Sequence, residues 1–150
     1  MTNYKFSEDV AILATIDPDA YTASSYTSDW ADVEYFEAFQ GVLFTGTIAA
    51  SATLAFVLLQ AKNSTGGSVK AITNANIVAL AAATTNSDKQ YTINIRADQL
   101  DVAGGFHFLA AKATLAVATS DFGAAILGFK VKHGPASGHD LASVTQIVTV

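Results

Sequence analysis

The sequence predicts an all-β fold, an antiparallel β-sandwich with one short helix, and three observations predict it. Apolar and polar residues alternate with period two over much of the chain, which places every second side chain on one face of a strand. Clusters of Gly, Ser, Thr and Asn separate the alternating runs at turn spacing. The 150 residues, 51% hydrophobic and 14% charged, suit one domain that closes its own core. Irregular strand and loop lengths favour a jelly roll over a meander.

Taken in order, residues 1–25 carry Asp17-Pro18-Asp19 and a polar run from Tyr21 to Ser25. They read as an N-terminal arm or edge segment, which either begins the sandwich or reaches elsewhere. Residues 26–150 form the sandwich domain. Val33 to Phe39 and Gly41 to Ile48 read as one long bent strand, with Gly41 and Gly46 as bulge or corner positions. Thr53 to Lys62 returns antiparallel into the turn Asn63-Ser64-Thr65-Gly66-Gly67-Ser68, and Val69 to Thr73 follows as a short strand.

Asn76 to Ala83 is the expected helix, because Ile77, Leu80 and Ala81 fall on one helical face and Asn74 or Asn76 can cap it. Tyr91 to Ala97 is the clearest strand, with Tyr91, Ile93, Ile95 and Ala97 opposed to Thr92, Asn94 and Arg96. A wide connection, Asp98 to Gly105, tucks Leu100 into the core and leads to the long strand Phe106 to Val117. Ala124 to Val131 and Val144 to Val150 complete the set.

Composition excludes several function classes. Without cysteine there is no disulfide framework, thiolate metal site or cysteine nucleophile. Residues 1–40 hold eight acids and one lysine, whereas residues 41–150 hold five acids and seven bases. Lys130 and Lys132 are the sole close pair of bases, so no nucleic-acid partner is expected. The apolar run Ile48 to Ala61 is broken by Ser51, Thr53 and Gln60, and no membrane span is expected. The opening residues lack the basic and apolar regions of an export signal.

Catalytic and metal-binding motifs are weak. Ser137, His139, Asp140 and Ser143 contain the residue types of a serine triad, yet no G-x-S-x-G elbow accompanies them. Asp17-Pro18-Asp19 opens like a calcium loop, but Thr22 and Ser28 stand where Gly and Glu are needed. Asp98 and Asp101 read as turn caps, and Gly104-Gly105 lacks the surrounding residues of a phosphate cradle. No catalytic residue, metal or cofactor is expected.

Interleaved with acids, Tyr26, Trp30, Tyr35, Phe36 and Phe39 form the most distinctive group. Aromatic side chains of this kind either fill one end of a sandwich or build the centre of a subunit interface. Stacking on sugar rings is a third use. Abundant alanine in the strands permits close approach but buries little area per residue, which suits a domain stabilised in part by association.

Several segments together carry a resemblance: Tyr26-Thr27-Ser28-Asp29-Trp30-Ala31-Asp32-Val33, Leu59-Gln60-Ala61-Lys62 before a Gly turn, Lys89-Gln90-Tyr91 leading into Ile93 to Asp101, and Gly128 to Ala136. Their order resembles the small capsid-associated structural proteins of tailed bacteriophages, prophages and gene transfer agents. His133 and Gly134 depart from the Arg-Tyr type of strand end expected there. The resemblance implies a non-enzymatic virion protein at the capsid surface, a decoration or cement protein or a head-spike base, made in the bacterial cytoplasm. Implied partners are copies of itself, as a trimer or pentamer, and the major capsid or other virion proteins. A carbohydrate-binding sandwich for host adhesion is the alternative, and a serine hydrolase using Ser143 or Ser137 with His139 is third.

Overall fold

A computed structural model describes residues 5–81 and 85–148. One helical turn, α1 (Phe6–Asp9), leads into β1 (Val10–Tyr21), β2 (Ser24–Thr27), β3 (Ala31–Asp32), β4 (Phe36–Thr45), β5 (Thr53–Ala61), β6 (Lys70–Ala81), β7 (Gln90–Arg96), β8 (Phe108–Ala116) and β9 (Ser120–Val131). Three short 3₁₀ turns punctuate the second half, at Ala97–Gln99, Val102–Gly104 and Ala136–His139.

All pairings are antiparallel, and they form two sheets. Sheet one runs β1-β9-β4-β7; sheet two runs β2-β8-β5-β6, with β3 also on β8. β2 pairs with Lys112–Leu115 and β3 with Phe108–Leu109, so the two form one interrupted edge strand along β8. Counted that way the described residues form eight strands, and every connection between them changes sheet except the β5–β6 hairpin. That winding is a jelly roll.

Packing between the sheets follows from alternation. Leu109, Ala111, Ala113 and Leu115 of β8 are buried, as are Leu54, Phe56 and Leu58 of β5, and they face Phe39, Leu43, Ile93, Ile95 and Ile126 of sheet one. Burying each large apolar side chain contributes roughly 1.5–3 kcal/mol. Gly41 sits in regular pairing opposite Ile93 and Ile126, not at a bulge. It is small for contact reasons, since a Cβ there would lie 2.7 Å from Leu58 Cδ2. Leu100 is buried as expected, and the Asn63–Ser68 turn contains Gly66 and Ser68 at positive φ.

Three expectations are corrected. Residues 76–81 belong to strand β6, and the short helix lies instead at Phe6–Asp9; residues 82 and 83 lie outside the described residues. The reason is register. β6 shifts twice against β5, and Asn74 takes φ 62°, so its inward residues Ile72, Ala75, Ile77 and Leu80 are spaced by three, two and three. Bulged strand spacing thereby imitates helical spacing. Secondly, β5 does not return beside β4 but crosses to the other sheet. Thirdly, residues 144–148 form no strand, and residues 149–150 lie outside the described set.

The first 25 residues are built into the body from Val10 onward. β1 is an edge of sheet one and buries Ala11, Leu13, Ala14 and Ile16. The far side of β1 is met at Ile12, whose N–H donates to Asp140 Oδ1 at 2.7 Å and whose carbonyl accepts from Leu141 N–H at 2.9 Å.

Candidate interaction surface

Each aromatic residue singled out in the sequence has a defined place. Phe36 and Phe39 are 0% and 1% exposed and pack edge to face in the core, so they offer no surface to a partner. Trp30 lies against the Gly66 turn, where a Cβ on Gly66 would come within 2.9 Å of the indole Nε1. Tyr26 closes the β1–β2 corner: its ring centroid is 4.2 Å from that of Tyr21, and its hydroxyl donates to the Thr22 carbonyl at 2.9 Å. Burial, with Asp19 and Asp17 nearby, raises the Tyr21 hydroxyl above its ordinary pKa. Tyr35 is 40% exposed and stacks on the His139 ring at 4.5 Å. Of the five, Tyr35 alone keeps a large exposed area.

Two of the triad candidates, His139 and Asp140, are held in other contacts. His139 is packed between Tyr35 and Phe36, and the Asp140 carboxylate caps the Ile12 amide. Asp17 and Asp19 flank a bulge in β1 and accept from the Thr15 hydroxyl and the Ala20 amide respectively. Among the described residues no three His, Asp or Glu side chains converge to hold a metal ion. No helix among them is long and apolar enough to cross a membrane.

A surface that the sequence reading missed lies on the outward side of sheet one. Cross-strand partners share a face, and the outward rows there are Val10–Phe129–Ala38, Ile12–Leu127–Gln40 and Thr15–Ala125–Val42, followed by Gly123 beside Phe44. The β1–β9–β4 part is therefore almost wholly apolar. Polar residues continue the rows on β7, as Arg96, Asn94, Thr92 and Gln90. Charges collect at the ends: Glu37 and Lys130 at one, Asp17, Asp19 and Asp121 at the other. An apolar centre with a polar rim is the composition of a protein interface.

Phe44 marks the relief of this face. It is 50% exposed and stands between two depressions, one of about 280 Å³ lined by Thr15, Pro18 and Gly123, the other of about 370 Å³ lined by Asp19, Gly46 and Asp121. Pro18 lies directly over Gly123, where a Cβ would be 2.9 Å from Pro18 Cα. A third depression, about 450 Å³, separates Phe129 and Ala38 from Asn94 and Arg96. The missed signal was the run Ala124 to Phe129, apolar at both parities. Such a strand has neither face suited to water.

No family model matches the sequence, and no curated protein does. Solved structures match the fold. Particles of T=1 type derived from infectious bursal virus match with a TM-score of 0.54 at 14% identity, over 85% of this chain and 33% of theirs. The VP2 subviral particle of infectious bursal disease virus matches with a TM-score of 0.52 at 12% identity, over 85% and 34%. The fold is a capsid-like β-sandwich. This capsid-like sandwich spans about a third of the length of the virus chains it matches. A carbohydrate-binding module of family 28, specific for non-crystalline cellulose, is similar at a TM-score of 0.47 and 10% identity over 79% of this chain and 73% of that one, too slight a likeness to build on.

Proposed function

We propose that this protein is a non-enzymatic structural subunit of a phage or phage-like particle, which assembles with copies of itself and attaches to the outside of the shell. The observation that carries the reading is the apolar outward face of β1, β9 and β4, which a sandwich working alone in water would not need. A fold in common with virus-particle proteins supports it, as do the segments that resemble small capsid-associated proteins. In this reading the assembly is a closed trimer or pentamer at a vertex or shell axis, serving as cement or spike base.

The test is composition of purified particles. Mass spectrometry should find this chain at a fixed ratio to the major shell protein, and cryo-electron microscopy should place three or five copies around a symmetry axis with sheet one turned toward a neighbour. A chain absent from particles that binds glycans saturably as a monomer would replace this reading with the carbohydrate one.

A further inference from the structure

We infer that residues 144–148 are a donor strand that pairs with the free edge of β7 in a second copy of this chain, joining subunits head to tail. The inference rests on the reading that copies associate, and adds to the outward face of sheet one a second contact by which they do so.

The donor is a run of strand-forming residues without a strand. Val144-Thr145-Gln146-Ile147-Val148 is rich in β-branched side chains. Val144 N–H donates to the Leu141 carbonyl, and among the described residues nothing hydrogen-bonds Thr145 to Val148. Ile147 is 48% and Val148 72% exposed.

The acceptor is the one uninterrupted edge of the sandwich among the described residues. β1 shifts register at Leu13 and again at Asp17–Pro18, and Asp140 and Leu141 already occupy Ile12. β2 and β3 are broken apart by residues 28–30, and β6 shifts twice. β7, by contrast, pairs with β4 without a shift from Ala38 to Phe44. Thr45 N–H donates to the Lys89 carbonyl, and alternation from that bond turns the backbone groups of Gln90, Thr92 and Asn94 away from β4. Arg96 N–H is already taken, by Gln99 Oε1 at 2.8 Å. A regular edge of this sort invites pairing unless it is blunted, and the other three edges are blunted.

Geometry makes the pairing intermolecular. Leu141 lies beyond β1, at the opposite edge of sheet one from β7. A strand added beyond β7 would be five strand spacings from Leu141, roughly 24 Å, whereas the three residue steps from Leu141 to Val144 reach about 11 Å at most. Donor and acceptor on opposite edges give a heterologous contact, which closes into a ring or runs on as a filament.

Two single substitutions test this. Thr92→Pro removes an amide that makes no bond to β4, and Ile147→Pro alters an exposed residue, so circular dichroism should report an intact β fold for both. Each variant alone should associate at least tenfold more weakly than the wild type in sedimentation velocity, as should a chain lacking residues 144–150. An equimolar mixture of the two proline variants keeps one good donor and one good edge, and should yield a 1:1 dimer and nothing larger. Wild-type assembly in either variant would overturn the donor strand. If that assembly is then lost on Leu127→Asp, the proposed function stands without it; a wild type that remains monomeric overturns both.

Discussion

The two sheets share one core but differ in their outward faces. In sheet two the outward rows include Ser25–Thr114–Ala55 and Thr27–Lys112–Val57, so β8 sets one hydroxyl and one ammonium in the middle of that face, with Phe108 and Ala110 to one side and Ala116 to the other. In sheet one the central strands β9 and β4 present Ala125, Leu127, Phe129 and Ala38, with Val42 on the same face already buried. At mid-strand sheet two carries polar side chains outward, as a half-solvated antiparallel sheet does, whereas β9 of sheet one is apolar at both parities from Ala124 to Phe129. The same inward packing thus stands behind two outward faces of different make-up.

Adjacent residues of β9 offer the largest test of that contrast. Leu127 points outward and Gly128 inward. Leu127→Asp should weaken self-association about 100-fold, near 3 kcal/mol, as loss of a central apolar contact does. Its cost to the isolated fold should be at most about 1 kcal/mol. Thr114→Asp, on the outward face of sheet two, should leave the sedimentation profile unchanged. Equal loss from both would remove the distinction between the faces.

Gly128→Ala should do the reverse. Its Cβ would lie 2.7 Å from Leu13 Cδ1 and 2.8 Å from Phe36 Cγ, and the Phe36 ring is fully buried. Overpacking at this site should cost about 2 kcal/mol, read as a lower urea midpoint at unchanged slope. An unchanged midpoint would mean that the inner face of sheet one is loose.

What the sequence disclosed tracks this geometry. β7 and β8 were legible because β7 alternates strictly, as Ile93 and Ile95 show, and β8 alternates from Ala111 to Ala116, as Ala111, Ala113 and Leu115 show. β6 was not, because its bulges respace Ile72, Ala75, Ile77 and Leu80 into an apparent helix. Phe36 and Phe39 drew attention as aromatics and belong to the core; Leu127 and Phe129 sit in a continuous apolar run whose second face goes unnoticed when a strand is assumed to bury one side. Alternation identifies a strand, and its absence within a strand identifies a second covered face.

The connections that tie the sheets together should respond less. Val117, in the β8–β9 turn, is 72% exposed and holds φ 79°, a left-handed conformation that is costly for a β-branched residue. Asn tolerates that region, so Val117→Asn should raise stability by about 1 kcal/mol, measured by the urea midpoint, with no change in association. A lower midpoint would show that the valine side chain is held by a contact of its own.

The β7–β8 connection should give the smallest effect, and one confined to acid. Hydrogen bonding from the Arg96 guanidinium holds the Asp98 carboxyl below its ordinary value, and the Lys70 ammonium, with the Gly104 amide, does the same for Asp101. A carboxylate depressed in the folded state adds stability that is present above the unfolded-state pKa near 3.9 and is lost as pH falls through the lower folded value. Both pairs are solvent-exposed, so screening keeps the contribution small. Asp101→Asn should accordingly be slightly less stable than wild type at pH 7, and the difference should close on acidification below about pH 4. A difference that persists at pH 2.5 would assign the role of Asp101 to the shape of the Val102–Gly104 turn, where its side chain accepts from Gly104 N–H, and not to its charge.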